Sequence, residues 1–117
     1  MEEKIVELYR AVVKISADYM IYQKRNNVEE VKKLLPQIQE FVVWFMEENR
    51  LGIEEEFYQG MLNNLLQILN DILEAIQQGD RVLLHDAIAY GLIEYLELFP
   101  GTLPKQGQEE KEKDVNI

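Results

Sequence analysis

His85 is the one histidine in a chain without cysteine, so chemistries built on imidazole clusters or thiolates have little to draw on. A di-iron or di-manganese site in a helical bundle needs a Glu-x-x-His pair on each of two helices and a further Glu on each of the other two. Here Val82 stands three residues before His85, its acidic neighbours are Asp80 and Asp86, and no metal or cofactor is expected. His85 reads instead as a partly exposed residue in the first turns of a helix, a lone proton carrier at most, since no triad partner accompanies it. Ser16, the only serine, lies inside a helical pattern, and no glycine-rich phosphate loop occurs. No catalytic residue is assigned and an enzyme is not expected.

Two acidic clusters invite a cation reading. Glu54-Glu55-Glu56 open a helical pattern, where carboxylates oppose the positive end of the helix dipole, and that role accounts for them without a metal. Glu47-Glu48 fall near a helix end where the dipole disfavours them, so they are candidates for pairing with a partner's Lys or Arg. Gln59, Asn63, Gln67, Asn70, Asp71, Glu74 and Gln78 follow one side of a helix, and such an amide-rich ridge reads either as an ordinary wet face or as a semi-buried contact. Tyr9, Tyr19, Tyr22, Tyr58, Tyr90 and Tyr95 together suggest a ligand cavity, against the alternative that they are core or interface rings at helical spacing. Gly60 and Gly91 sit inside helical stretches, which implies close helix approach or room for an aromatic ring.

The run Phe41-Val42-Val43-Trp44-Phe45-Met46 is wider than the single apolar stripe that a surface helix needs. If Ile38, Val42 and Phe45 face a core, Val43, Trp44 and Met46 are rotated toward the flanks, where one small bundle cannot easily cover them all. Large contiguous apolar patches are rare on soluble monomers, and a two-fold dimer is the commonest remedy. Phe41, Val43, Trp44 and Met46 are therefore the expected interface residues of a homodimer.

The elements that must position these residues are helices. Ile5, Leu8, Tyr9, Val12, Ile15, Tyr19 and Tyr22 mark one helix from Glu3 to about Lys24. Asn27 as N-cap with Glu30 as its capping-box partner starts a second near Val28, carrying Val31, Leu34, Leu35, Ile38, Phe41, Val42 and Phe45 inward to about Arg50, with Gly52 available for a left-handed residue beyond. Pro36 predicts either a break, with the proline at the first position of a new helix, or one continuous bent helix. A third helix runs from about Ile53 to Gln78 and ends at Gly79, and Asp80 caps a fourth whose inward set runs from Leu83 to Phe99 before Pro100-Gly101. Nothing reads as a strand.

The expected fold is therefore an all-α, up-down antiparallel four-helix bundle over residues 1–101, with residues 102–117 a flexible, charged tail. At 117 residues and 47% apolar content one domain is indicated. A net charge of -10 argues against nucleic acid and anionic membrane surfaces as partners, and the acidic start, Met1-Glu2-Glu3-Lys4, lacks the features of a secretory signal, so a cytoplasmic location is expected.

Tyr58-Gln59-Gly60-Met61-Leu62, Asn70-Asp71-Ile72-Leu73-Glu74-Ala75-Ile76 and Gly79-Asp80-Arg81-Val82-Leu83-Leu84-His85-Asp86 together resemble small acidic all-helical proteins of bacteria that carry no assigned function. The resemblance covers about the second half of the chain and implies no activity. In architecture alone the chain is similar to flagellar and secretion export chaperones, small acidic bundles with apolar grooves, which would make Phe41, Trp44 and Phe45 the residues that receive an amphipathic client helix. The leading expectation is a non-enzymatic, self-associating interaction or adaptor protein. An export-chaperone-like client binder and a small ligand-binding protein or enzyme with a Tyr-lined pocket are the alternatives.

Overall fold

The computed structural model describes residues 1–102, and the greater part of the expected tail lies outside the described residues. Four helical rods make up the fold, and no strand occurs among the described residues. They are α1 (Glu2–Met20), α2 (Asn27–Glu47), α3 (Glu55–Gln78) and a fourth rod built of α4 (Arg81–Ala87), a π-helical turn (Ile88–Leu92) and α5 (Ile93–Leu96). The all-α reading of the sequence holds, and the boundaries move by a few residues.

Glu2 and Glu3 in the first turn of α1 suit the helix dipole, and Ile5, Leu8 and Val12 form its buried stripe. The helix stops at Met20, earlier than expected, because the chain turns left-handed at Gln23 (φ 56°) and the Lys24 amide folds back to the Asp18 carbonyl at 3.0 Å. Asn26, not Asn27, occupies the N-cap of α2, and no capping box forms with Glu30. Asn27 is drawn inward instead: it is 3% exposed and its Nδ2 donates to the Arg81 carbonyl at 3.1 Å, tying the start of α2 to the start of α4.

Pro36 lies inside an unbroken α2, so of the two sequence alternatives the continuous helix is the one found. Its missing N–H leaves the Lys32 carbonyl without its intrahelical donor, which is tolerable because Lys32 and Pro36 are both exposed. At the far end of α2 two side chains from outside the helix satisfy carbonyls that have no intrahelical donor. Arg50 Nε donates to the Trp44 carbonyl at 3.1 Å, and the Tyr58 hydroxyl reaches Phe45 O at 2.6 Å and Glu48 O at 3.0 Å. Gly52 is left-handed (φ 66°) as expected, but in the turn after the helix and not at its cap.

Gly79 (φ 67°) ends α3 with paired bonds from Gly79 N to Ile76 O and from Asp80 N to Ala75 O, the pattern of a Schellman cap. Asp80 then caps α4, its Oδ1 accepting from the Leu83 amide at 3.0 Å. Midway along the fourth rod the Ile93 amide bonds back to the Ile88 carbonyl, five residues away, which makes the π turn. Gly91 within it lies so close to α3 that a Cβ there would meet Ile68 Cδ1 and Cγ1 at 3.0 Å. Gly60, by contrast, faces open space, so close approach explains the one glycine and not the other.

Side-chain pairs give the order of the rods. Tyr9 meets Glu97 and Tyr19 meets His85 between α1 and the fourth rod, while Asn64 meets Tyr95 and Ile68 meets Gly91 between α3 and that rod; in both cases the partners run in opposite order along the chain. Aromatic rings fill one end of the core, with Phe45 against Tyr95 at 5.7 Å and Trp44 against Phe99 at 5.2 Å. Thr102, the first residue of the expected tail, is buried, and its hydroxyl donates to the Phe99 carbonyl at 3.0 Å.

Candidate interaction surfaces

The six-residue apolar run divides between core and surface. Phe41, Val42 and Phe45 are buried in the core, whereas Val43 is 56% exposed and Met46 43% exposed on the outer face of α2. Trp44 lies between these sets: Phe41 and Phe99 pack against its ring, and the Arg50 guanidinium sits 4.2 Å from its centroid. Phe41 is thus a core residue and offers nothing to a partner. Of the three residues that would form an export-chaperone groove, Phe41 and Phe45 are inaccessible. What remains at the surface is a shallow depression bounded by Met1, Gln39, Glu40, Val43, Trp44 and Glu47.

The neighbouring charges are engaged within the chain. Glu47 and Glu48, considered for a partner's cations, meet Arg50 at 3.0 and 3.4 Å. Lys4 binds Glu40 at 2.7 Å across α1 and α2, and that hydrogen bond holds its ammonium pKa above the ordinary value. On α3 the amide ridge is wet and locally satisfied, Gln59 donating to Glu55, Gln67 to Asp71 and Gln78 to Glu74.

The tyrosines do not gather around one cavity. Tyr58 and Tyr95 are buried, the latter donating to Met61 O at 3.1 Å, while Tyr22 and Tyr90 are largely exposed. Burial, and then the hydrogen bond to Glu97, raise the Tyr9 phenol. His85, expected to be partly exposed, is buried with 7% of its surface exposed, stacked on Tyr19 at 4.9 Å with Tyr90 edge-on at 6.3 Å, and its Nδ1 has no partner. Its polar character hides this from a periodicity reading; its spacing, three residues before Ile88 and seven before Leu92 on the inward face, is the available signal. Among the described residues no three His, Asp or Glu side chains cluster as a metal site would need.

A second depression, missed by sequence reasoning, runs between the C-terminal half of α1 and the N-terminal half of α2, with a volume of about 360 Å³. Ala11, Ile15, Tyr19 and Leu34 give it apolar walls, and Lys14, Lys24 and Lys33 are among its charged lining residues. Lys14 meets Asp18 at 2.9 Å and Lys24 meets it at 4.0 Å, so one carboxylate answers two ammonium groups. The hydrogen bond from Lys14 lowers the Asp18 pKa. Asn27, with its Oδ1 buried and unpartnered, also lines this cleft.

The comparisons with protein-family models, with curated proteins and with solved structures find no match to this chain. The two surfaces themselves are therefore the guide to function. Among the described residues no helix is long and apolar enough to cross a membrane.

Proposed function

We propose that this chain is a non-enzymatic interaction or adaptor protein, and that a second copy of itself covers the outer face of α2. One observation carries the reading: Val43 and Met46 stand one helical turn apart, both substantially exposed, beside the partly covered ring of Trp44. An isologous pairing lays the same patch on its own copy and removes both sets of side chains from water at once. Lys4, Glu40, Glu47 and Arg50 around the patch are already paired within the chain, so the pairing would be driven by apolar contact with a polar rim. Phe41 contributes by supporting Trp44 from inside, and the interface proper comprises Val43, Trp44 and Met46.

Sedimentation equilibrium at micromolar concentration tests the reading. The wild-type chain should sediment well above its 13.8 kDa monomer mass, and Val43→Glu should return it to that mass without loss of helical circular dichroism. Val43 suits the test because its exposure lets a charge replace it without disturbing the core. A wild-type chain that stays at the monomer mass would refute self-association.

A further inference from the structure

Val43 divides the outer face of α2 into two unlike flanks. At about 100° per residue, Trp44 and Glu47 lie to one side of it, together with Glu40, which reaches Lys4 on α1. Met46 lies about 60° round the helix to the other side. The first flank is hollow: Met1, Val43 and Trp44, with Glu40 and Glu47, are among the residues that bound a depression of about 410 Å³. The second flank projects, since Met46 is 43% exposed.

A hollow and an apolar knob within one turn of the same helix are two halves of a contact that neither completes alone. A second copy brings both at the right spacing, whereas a foreign partner would need a matching pair of its own. The direction of the two-fold axis then follows. An axis running across the helices sets them antiparallel and brings like flanks together, hollow beside hollow, with Met46 next to the partner's Gln39. An axis running along the helices sets them parallel and brings unlike flanks together, so that each Met46 enters the other copy's hollow at the height of the partner's Trp44. Only this second arrangement fills both hollows, and it sets a polarizable thioether against an indole ring. Glu47 then comes to the height of its own copy, and the Arg50 that meets each Glu47 at 3.0 Å offsets the repulsion.

We infer that two copies pair with their α2 helices parallel, Val43 beside its own copy, and each Met46 seated in the depression that Met1, Val43 and Trp44 form on the partner. The inference rests on the self-association proposed above and adds to it an orientation and the side chain that completes the hollow.

The chain has no cysteine, so introduced ones report without background. Gln39, Val43 and Glu47 follow one another at four-residue intervals along the outer face. With parallel helices, Gln39→Cys, Val43→Cys and Glu47→Cys should each give a disulfide-linked dimer under mild oxidation at micromolar concentration. An antiparallel pair would link Val43→Cys alone, because the other two positions would stand about 12 Å along the helix from their own copies. It would instead link the Gln39→Cys chain to the Glu47→Cys chain in a mixture, a product that mass spectrometry distinguishes. Met46→Ala should raise the dissociation constant at least about tenfold in sedimentation, and Met46→Leu should stay closer to the parent. Trp44 emission should shift with protein concentration in the parent and much less in Met46→Ala. Circular dichroism establishes that each variant is folded. The mixed crosslink, a crosslink from Val43→Cys alone, or Met46→Ala dimerising as tightly as the parent would overturn this arrangement and leave self-association standing. A parent chain that stays monomeric would overturn both.

Discussion

Arg50 lies over the ring of Trp44, 4.2 Å from its centroid, while its Nε donates at 3.1 Å to the backbone carbonyl of the same residue. One side chain thus closes the end of α2 and shields the most conspicuous aromatic of the sequence. Arg50→Ala should cost about 1–2 kcal/mol, because it removes a charge-assisted hydrogen bond and a cation–π interaction together. Urea denaturation measures this, and Trp44 emission should change in the native baseline. Arg50→Lys should recover only part, because an ammonium lacks the planar guanidinium's stacking face.

Gly60 and Gly91 should respond oppositely to alanine. Gly60 is in the interior of α3 with nothing within 4 Å of an added Cβ, so Gly60→Ala should stabilise the fold by up to about 1 kcal/mol through helix propensity. Gly91→Ala meets Ile68 at 3.0 Å and should destabilise despite the same propensity gain. Thermal unfolding of the two variants beside the parent decides the matter, and adding Ile68→Val, which removes one of the crowded atoms, should reduce the Gly91→Ala penalty.

Those two glycines look alike in sequence, and only the approach of α3 to the π turn separates them. Helix identity was legible because apolar spacing repeats locally: Ile5, Leu8 and Val12, or Leu65, Ile68 and Ile72, mark their faces without knowledge of any neighbour. Gly79 and Asp80 were legible for the same reason, since a Schellman turn and an N-cap are local structures. The role of Asn27 was not legible, because its choice between capping α2 and bonding Arg81 depends on a residue 54 positions away. Phe99, which packs edge-on against Trp44 from the far end of the chain, is equally remote in sequence, and the basic cleft exists only once α1 and α2 are side by side.

Tyr58 gives an alkaline prediction. Burial, reinforced by Glu55, raises its phenol above the ordinary value of 10.0. The folded state therefore holds this proton more tightly than the unfolded chain, so the stabilisation is whole below about pH 10 and is lost as pH climbs through the raised folded value. Denaturation midpoints measured across that range should fall, and the fall should be shallower in Tyr58→Phe. At neutral pH the same variant should be less stable by about 1–2 kcal/mol, because the Phe45 and Glu48 carbonyls lose their donor.

His85→Phe should leave stability unchanged or raise it. The ring that stacks on Tyr19 is kept, and a buried Nδ1 without a partner is removed. His85→Ala should instead cost about 2–4 kcal/mol by opening a cavity beside Tyr19. Chemical denaturation of both variants checks the contrast; a large loss in His85→Phe would mean that the imidazole nitrogen matters.

The π turn at Ile88–Leu92 gives the fourth rod one residue more than an α-helix of the same reach requires. A one-residue deletion elsewhere in a helix rotates everything downstream by about 100°. A deletion within this turn can be absorbed by its reverting to α geometry, with Tyr95 and Leu96 still directed at the core. The chain therefore carries, at one defined place, a tolerance to changes of length that α1 and α3 lack.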